Sequence, residues 1–119
     1  MRVLVVDDDR DFLTLASSRL AALGATVDVR PNAVGIDRLV QATRLDLVVV
    51  DLSMPDVDGL TAIERLRAAG VACPVVVLTN LDAPHLETLA RDAGATAYHR
   101  KDELDARGWD ELLRLGVNG

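Results

Sequence analysis

The amino-acid sequence predicts an α/β domain in which one parallel β-sheet carries helices on both faces. Five short apolar runs alternate along the chain with segments whose apolar residues recur at helical spacing. Three of the runs are continuously apolar, as is typical of strands that are buried on both faces of a parallel sheet. Strand–helix alternation with short connections favours right-handed crossovers and a layered α/β architecture.

The five predicted strands are too short to be helices and are rich in β-branched residues, which favour extended structure. They cover Val3–Val6, Thr26–Val29, Leu47–Val50, Val75–Leu78 and, more weakly, Ala95–Tyr98.

Five helices are predicted between and after these strands, because apolar residues spaced three and four apart trace one face of each segment. The faces span Phe12–Leu23, Ile36–Val40, Leu60–Leu66, Leu86–Ala93 and Trp109–Leu113. Three of the helices are followed by Gly24, Gly70 and Gly94, where a left-handed residue commonly ends a helix.

Composition limits the class of protein. The 119 residues suit one domain, and 13 basic against 19 acidic residues leave a net charge of −6, which disfavours direct binding of nucleic acid through its phosphates. No apolar run reaches the roughly 18 residues that cross a bilayer, and no signal peptide is visible. The one cysteine, Cys73, cannot form an internal disulfide. We therefore expect a cytoplasmic protein without a membrane partner.

Charged and polar side chains follow the predicted strands at the edge where parallel α/β sheets bind ligands. Asp7-Asp8-Asp9 follow the first strand, Asp51 the third and Thr79 the fourth, while Lys101 comes shortly after the fifth. Taken alone, the three aspartates also suit an acidic helix N-terminus. Together, crowded carboxylates repel one another unless a cation joins them, and Mg²⁺ prefers such oxygen ligands. The set therefore predicts a magnesium site, with Asp9 capping a helix that starts near Asp11.

Lys101 stands out because it is the only lysine among the 13 basic residues. Taken alone, Lys101 also suits an ordinary surface lysine in contact with water. However, lysine supplies a compact point charge where arginine supplies a broad planar fork. A crowded site beside a carboxylate and a phosphoryl group favours the lysine.

Four segments of the sequence carry a resemblance to a known family. They are Val3-Leu4-Val5-Val6-Asp7-Asp8, Val50-Asp51-Leu52-Ser53-Met54-Pro55 with Asp58-Gly59-Leu60, Val77-Leu78-Thr79, and Gly94 to Lys101. From Arg2 to about Lys101 the chain resembles the receiver domain of two-component response regulators, in particular the chemotaxis regulators. The resemblance implies a flavodoxin-like (βα)5 three-layer sandwich with a five-stranded parallel sheet of order 2-1-3-4-5. It implies a single receiver domain over residues 1–119, which works in phosphorylation-controlled signalling.

The resemblance also assigns roles to individual residues. Asp51 is expected to accept a phosphoryl group from a histidine kinase or a small phosphodonor, assisted by Thr79 and Lys101. The expected Mg²⁺ ligands are Asp7, Asp8, Asp51 and the backbone carbonyl of Ser53.

Thr79 and Tyr98 are the expected switch residues. In the family the hydroxyl at the Thr79 position moves to the phosphoryl group, and the aromatic at the Tyr98 position rotates into the vacated space. The expected partners are a sensor histidine kinase or phosphotransfer protein, and a downstream protein or a second copy. The downstream protein or the second copy would bind through the face formed by the fourth helix, fifth strand and fifth helix.

The sequence departs from the family after Lys101. Asp102 stands where a proline with a cis peptide bond is usual, and a non-proline cis bond costs about 2.5 to 4 kcal/mol, so we expect a trans bond and a rearranged loop. An ion pair between Asp102 and Lys101 would draw the ammonium away from the site. Asp105-Ala106-Arg107-Gly108 is a poor helix opening, so an atypical region 102–119 with a short fifth helix, beginning near Gly108 or Trp109, is predicted.

Two other functions remain open. One is a constitutive interaction or dimerisation domain that needs no phosphate. The other is an aspartyl-phosphate phosphatase of the haloacid dehalogenase type, which would need a second acid where Ser53 stands. Since that acid is missing, we expect a phosphoacceptor with self-catalysed phosphorylation and dephosphorylation only, not an enzyme.

Overall fold

The computed structural model describes residues 1–54, 57–81 and 83–118. Its strands are β1 (Arg2–Val6), β2 (Thr26–Arg30), β3 (Leu47–Val50), β4 (Val75–Thr79) and β5 (Ala97–Arg100). They form one parallel sheet in the order β2-β1-β3-β4-β5. The predicted fold class and strand order are confirmed.

The helices are α1 (Arg10–Ala22), α2 (Ile36–Ala42), α3 (Gly59–Ala68), α4 (Pro84–Ala93) and α5 (Ala106–Asn118), with a short 3-10 helix at Lys101–Glu103. Helices α2, α3 and α4 pack on one face of the sheet, while α1 and α5 pack on the other. The result is the expected three-layer sandwich. The predicted glycine ends are confirmed, since Gly24, Gly70 and Gly94 have φ angles of 97°, 90° and 124°.

The central strands form the buried middle layer. Every residue of β3 and β4 is buried, as are the last four residues of β1. Alternate side chains of these strands enter the two apolar clusters on opposite faces of the sheet. Two-sided burial explains why these runs are continuously apolar, and it holds their carboxyl ends in fixed positions.

Two sequence-based expectations for the C-terminal region are wrong. Strand β5 begins at Ala97, two residues later than expected, so that Lys101 directly follows it. Helix α5 begins at Ala106 and spans 13 residues. It starts early because the Asp105 side chain accepts a hydrogen bond of 2.8 Å from the Gly108 backbone N–H, as an N-cap does. Packing of Trp109 against α1 and the sheet outweighs the low helix propensity of Gly108.

Arg67, near the end of α3, connects two loops at the edge of the sheet opposite the aspartates. Its guanidinium donates hydrogen bonds of 2.8 to 3.0 Å to the backbone carbonyls of Val71, Cys73 and Gly94. These bonds join the α3–β4 connection to the end of α4.

Candidate functional site

Asp7 and Asp51 lie side by side at the carboxyl edge of the sheet. The preceding residues Val6 and Val50 are paired in the β1–β3 ladder. The backbone N–H of Asp51 donates to the Val6 carbonyl at 3.0 Å, which keeps the two ends in register. Asp7 is 1% exposed and Asp51 is 6% exposed. The sheet therefore brings two buried carboxylates together.

Asp8 completes a cluster of three carboxylates. It is exposed, and one carboxylate oxygen from each of Asp7, Asp8 and Asp51 lies within 4.8 Å of the others. Three hard oxygen donors around an open side fit a divalent cation such as Mg²⁺, which commonly keeps water and substrate oxygens as its other ligands. The exposure of Asp8 leaves room for them.

Ser53 lies beside this cluster. It is exposed, and its backbone N–H donates to Asp51 Oδ1 at 3.4 Å. This contact places the backbone of Ser53 next to the acceptor carboxylate.

Asp9 belongs to the helix rather than to the cluster. Its side chain accepts from the Phe12 backbone N–H at 3.2 Å and caps α1, as predicted, although the helix begins at Arg10. Its own N–H donates to Asp7 Oδ1 at 2.9 Å, which orients the buried carboxylate.

Lys101 reaches into the cluster from the end of β5. Its Nζ lies 2.6 Å from Asp7 Oδ2 and 3.6 Å from Asp51 Oδ2, and its side chain is 8% exposed. The ammonium also lies 4.3 Å from the centroid of the Phe12 ring. The structure thus places a buried positive charge against both buried aspartates.

Asp102 does not draw Lys101 away, so the alternative ion pair is wrong. Its carboxylate accepts hydrogen bonds of 3.0 and 3.1 Å from Arg100 instead. These bonds hold the pKa of Asp102 below its ordinary value. No peptide bond among the described residues is cis, so the expected trans bond after Lys101 is present.

Burial raises the pKa of Asp7 above its ordinary value of 3.8. The hydrogen bond from Lys101 acts in the opposite direction, and the nearby Asp51 charge adds to the increase. Because burial disfavours the ionised form of Asp7, any cation that binds at the cluster stabilises that form.

Thr79 lies on β4, and Tyr98 lies on the neighbouring strand β5. Thr79 ends β4, is fully buried, and its hydroxyl accepts from the Leu81 backbone N–H at 3.1 Å. Tyr98 is half-buried on β5, opposite Val77 in the strand register, and packs against the cluster under α4.

Phe12 and Arg100 are two site residues that the sequence does not single out. In the sequence, Phe12 belongs to the apolar face of the first predicted helix. A usable signal was its place in the first turn of a helix capped by Asp9, because helical side chains lean back toward the N-terminus and hence toward the site. Arg100 has no comparable signal, because its pairing with Asp102 depends on the turn after β5.

The family model described as the response regulator receiver domain matches residues 3–108. The chain belongs to this family. Phosphorylation-controlled signalling is the general function of these receiver domains, and receiver domains bind Mg²⁺ at an acidic pocket.

Curated relatives of this receiver domain include response regulators from two bacterial groups. The chain is 36% identical over 111 residues to the response regulator MprA of Mycobacterium ulcerans (strain Agy99), covering 90% of this chain and 48% of the relative. It is 33% identical over 111 residues to the transcriptional regulatory protein TctD of Salmonella typhimurium (strain SL1344), covering 90% of this chain and 50% of the relative. The chain therefore spans about half the length of these relatives.

Solved structures share the fold over nearly the whole chain. The BeF3-activated N-terminal receiver domain of Klebsiella pneumoniae RstA superposes with a TM-score of 0.91 at 28% identity, covering 100% of both chains. The chemotaxis protein CheY4 of Vibrio cholerae has a TM-score of 0.84 at 23% identity and covers 95% of both chains, which supports the fold alone. Within the described part of this receiver domain, no helix is both long and apolar enough to cross a membrane.

Proposed function

We propose that this receiver domain accepts a phosphoryl group on the Asp51 carboxylate and thereby changes the partner that it binds. One arrangement carries the proposal: Asp51 shares a carboxylate cluster with Asp7 and Asp8, and Lys101 Nζ lies 3.6 Å from Asp51 Oδ2. Phosphoryl transfer depends on positioning and on neutralising charge at the phosphoryl oxygens, and this arrangement supplies both.

In the transfer, an Asp51 carboxylate oxygen bonds to phosphorus while the bond from phosphorus to the donor's leaving atom breaks. That atom is the imidazole nitrogen of a phosphohistidine or the carboxylate oxygen of acetyl phosphate, and it leaves with the electron pair. The donor must be activated because a carboxylate is a weak nucleophile. Attack by water on the product releases orthophosphate and restores Asp51. The domain therefore processes only its own modification and is not an enzyme toward external substrates.

Lys101 is suited to bind the phosphoryl oxygens because it already faces Asp51 and is shielded from solvent. Asp7, Asp8, Asp51 and the Ser53 carbonyl are the residues that would hold Mg²⁺. When bound, Mg²⁺ supplies positive charge to the phosphoryl oxygens. Since Asp7 is buried, it contributes its charge in a setting that screens electrostatic interactions weakly.

The switch proceeds from Thr79. We expect its hydroxyl to leave the Leu81 backbone N–H and donate to the phosphoryl group, which vacates space into which Tyr98 rotates. The altered face is that of α4, β5 and α5, where a downstream protein target or a second copy would bind. A sensor histidine kinase or phosphotransfer protein would be the donor, and a cytoplasmic location stays a prediction from the sequence.

The experiment is incubation with acetyl phosphate and Mg²⁺, followed by intact-mass measurement over time. The wild-type chain should gain one phosphoryl group, and Asp51→Asn should gain none. Asp92→Asn is the matched control, since Asp92 is exposed near the C-terminal end of α4, at the opposite edge of the sheet. It should be labelled like the wild type.

Three results would contradict the proposal. Labelling of Asp51→Asn at the wild-type rate would place the modification elsewhere. Absence of any adduct on the wild type would favour the constitutive interaction domain. Repeated turnover of external phosphomonoesters would instead indicate a phosphatase.

A further inference from the structure

The Lys101 ammonium is held by two carboxylates and by one aromatic ring. Its Nζ lies 4.3 Å from the Phe12 ring centroid, on the face of the ring, and the lysine side chain is 8% exposed. An ammonium over an aromatic ring is attracted by the negative face of the ring, and the attraction is strongest where water is excluded. Phe12 is the only phenylalanine and Lys101 the only lysine of the chain.

Phe12 is itself held at its backbone and at its ring. Its backbone N–H is bound by the Asp9 side chain in the first turn of α1. Its ring packs against Trp109 of α5, with centroids 6.0 Å apart and planes tilted by 30°. Trp109 is only 4% exposed, so the pair belongs to the packed layer between α1 and α5.

The loop after Lys101 does not bind the Lys101 ammonium through Asp102. Asp102, the residue that replaces the usual proline, is paired with Arg100, and this pairing leaves the Lys101 ammonium to the cluster. The aim of Lys101 therefore depends on the side chains that it contacts across the fold.

Asp7 alone is a poor permanent anchor for Lys101. Its carboxylate lies 2.6 Å from Nζ and also belongs to the cluster that would hold a divalent cation. A carboxylate shared with a metal ion is a weaker acceptor for the ammonium. The Phe12 ring, in contrast, cannot bind the metal and stays available to the lysine.

We infer that Phe12, braced by Trp109, is a positioning residue that aims the Lys101 ammonium at Asp51 through a cation–π contact. The inference rests on the proposed function, because it concerns the lysine that serves phosphoryl transfer. It extends the site to α1 and to α5, which pack together on one face of the sheet. Helix α5 also belongs to the proposed output face.

The first test needs no phosphorylation. With ¹³C-labelled lysine the chain gives one Lys101 ε-methylene signal, which the Phe12 ring current should move upfield of its position in unfolded peptides. Phe12→Leu should abolish this shift, and Phe12→Tyr should retain it. An unshifted signal in the folded wild type would overturn the inference, whether or not Asp51 is phosphorylated.

The second test is the rate of labelling by acetyl phosphate at saturating Mg²⁺. Loss of a cation–π contact should slow Phe12→Leu by about 2- to 30-fold. Phe12→Tyr, which keeps the ring face, should restore most of the rate. Leu15→Ala, an exposed position on α1, should match the wild type. Labelling of Phe12→Leu at the wild-type rate would overturn the inference while leaving the proposed function intact.

Fluorinated phenylalanines at position 12 cover the case in which Phe12→Leu fails to fold. They keep the ring shape while each added fluorine weakens the negative face. The labelling rate of the folded variants should fall stepwise with fluorine number, and a rate independent of fluorination would refute the cation–π contact.

Discussion

The ammonium of Lys101 lies 2.6 Å from the carboxylate of Asp7. Asp7 is therefore contacted by a protein cation at the same place where the cluster would receive a metal ion. Burial disfavours the ionised form of Asp7, and the hydrogen bond from Lys101 offsets only part of this effect. The behaviour of the site without metal depends on this pair.

The first prediction concerns pH. Burial raises the pKa of Asp7 in the folded state, so the folded protein binds this proton more tightly than the unfolded chain does. The contribution of Asp7 to the free energy of unfolding is then fully present below its ordinary pKa of 3.8 and is lost as pH rises through the raised value. Asp7→Asn removes this loss.

The measurement is the melting temperature of Asp7→Asn and of the wild type in EDTA between pH 4 and pH 8. The difference, variant minus wild type, should increase from about pH 4 upward and then level off. A difference that is flat or declines with pH would mean that the Lys101 hydrogen bond outweighs burial.

The second prediction concerns Mg²⁺. A cation that binds the folded cluster stabilises the fold by about 2.7 kcal/mol at a hundredfold excess over its Kd. For a domain of this size the melting temperature should rise by about 10 °C. Asp8→Asn should reduce the rise, because it removes one carboxylate while leaving the buried pair in place. Asp92→Asn serves as control, and equal shifts in all three proteins would place Mg²⁺ outside the cluster.

The third prediction concerns Gly59, the first residue of α3. A Cβ here would lie 2.5 Å from Leu52 Cα and would clash with the backbone oxygen of Asp51. Because both contacts are with backbone, Gly59→Ala should lower the free energy of unfolding by about 3 kcal/mol and slow the labelling of Asp51.

Gly108→Ala is the matched substitution for the third prediction. Its Cβ would meet the end of the Leu104 side chain at 2.8 Å, and this side chain can rotate away. The helix propensity of alanine should then raise the free energy of unfolding by up to about 1 kcal/mol. Urea denaturation measures both variants, and equal losses would contradict the distinction between backbone and side-chain contacts.

The fourth prediction concerns Arg67. Arg67→Ala leaves the carbonyls of Val71, Cys73 and Gly94 without their guanidinium donor, and should lower the free energy of unfolding by about 2 to 4 kcal/mol. Arg65→Ala, at an exposed position of the same helix, should change it by less than about 0.5 kcal/mol. A similar effect of the two substitutions would show that the carbonyls find other donors.

The sequence was sufficient to predict the sheet and the position of its acidic edge. Continuous apolar runs such as Leu47–Val50 indicate strands buried on both faces, and the aspartates that follow them must meet at one edge of a parallel sheet. The family resemblance added the strand order. These features are local or follow from topology, so they can be read from the chain.

The prediction failed where a local preference was overridden by packing. Gly108 and the weak opening at Asp105 suggested a short α5, yet Asp105 caps the helix and Trp109 anchors it in the core. A glycine inside a helix costs about 1 kcal/mol relative to alanine. Burial of one large aromatic side chain contributes more than this.

By itself the sequence determined the succession of strands and helices, the glycine helix ends and the carboxylates at the strand ends, because apolar periodicity and backbone conformation act over a few residues. Only the tertiary structure decided which groups surround Lys101. Asp7 and Phe12 come from the other end of the chain, and Trp109 reaches Phe12 only because α1 and α5 pack on the same face of the sheet. Such contacts depend on side-chain direction and helix packing, which no local pattern specifies.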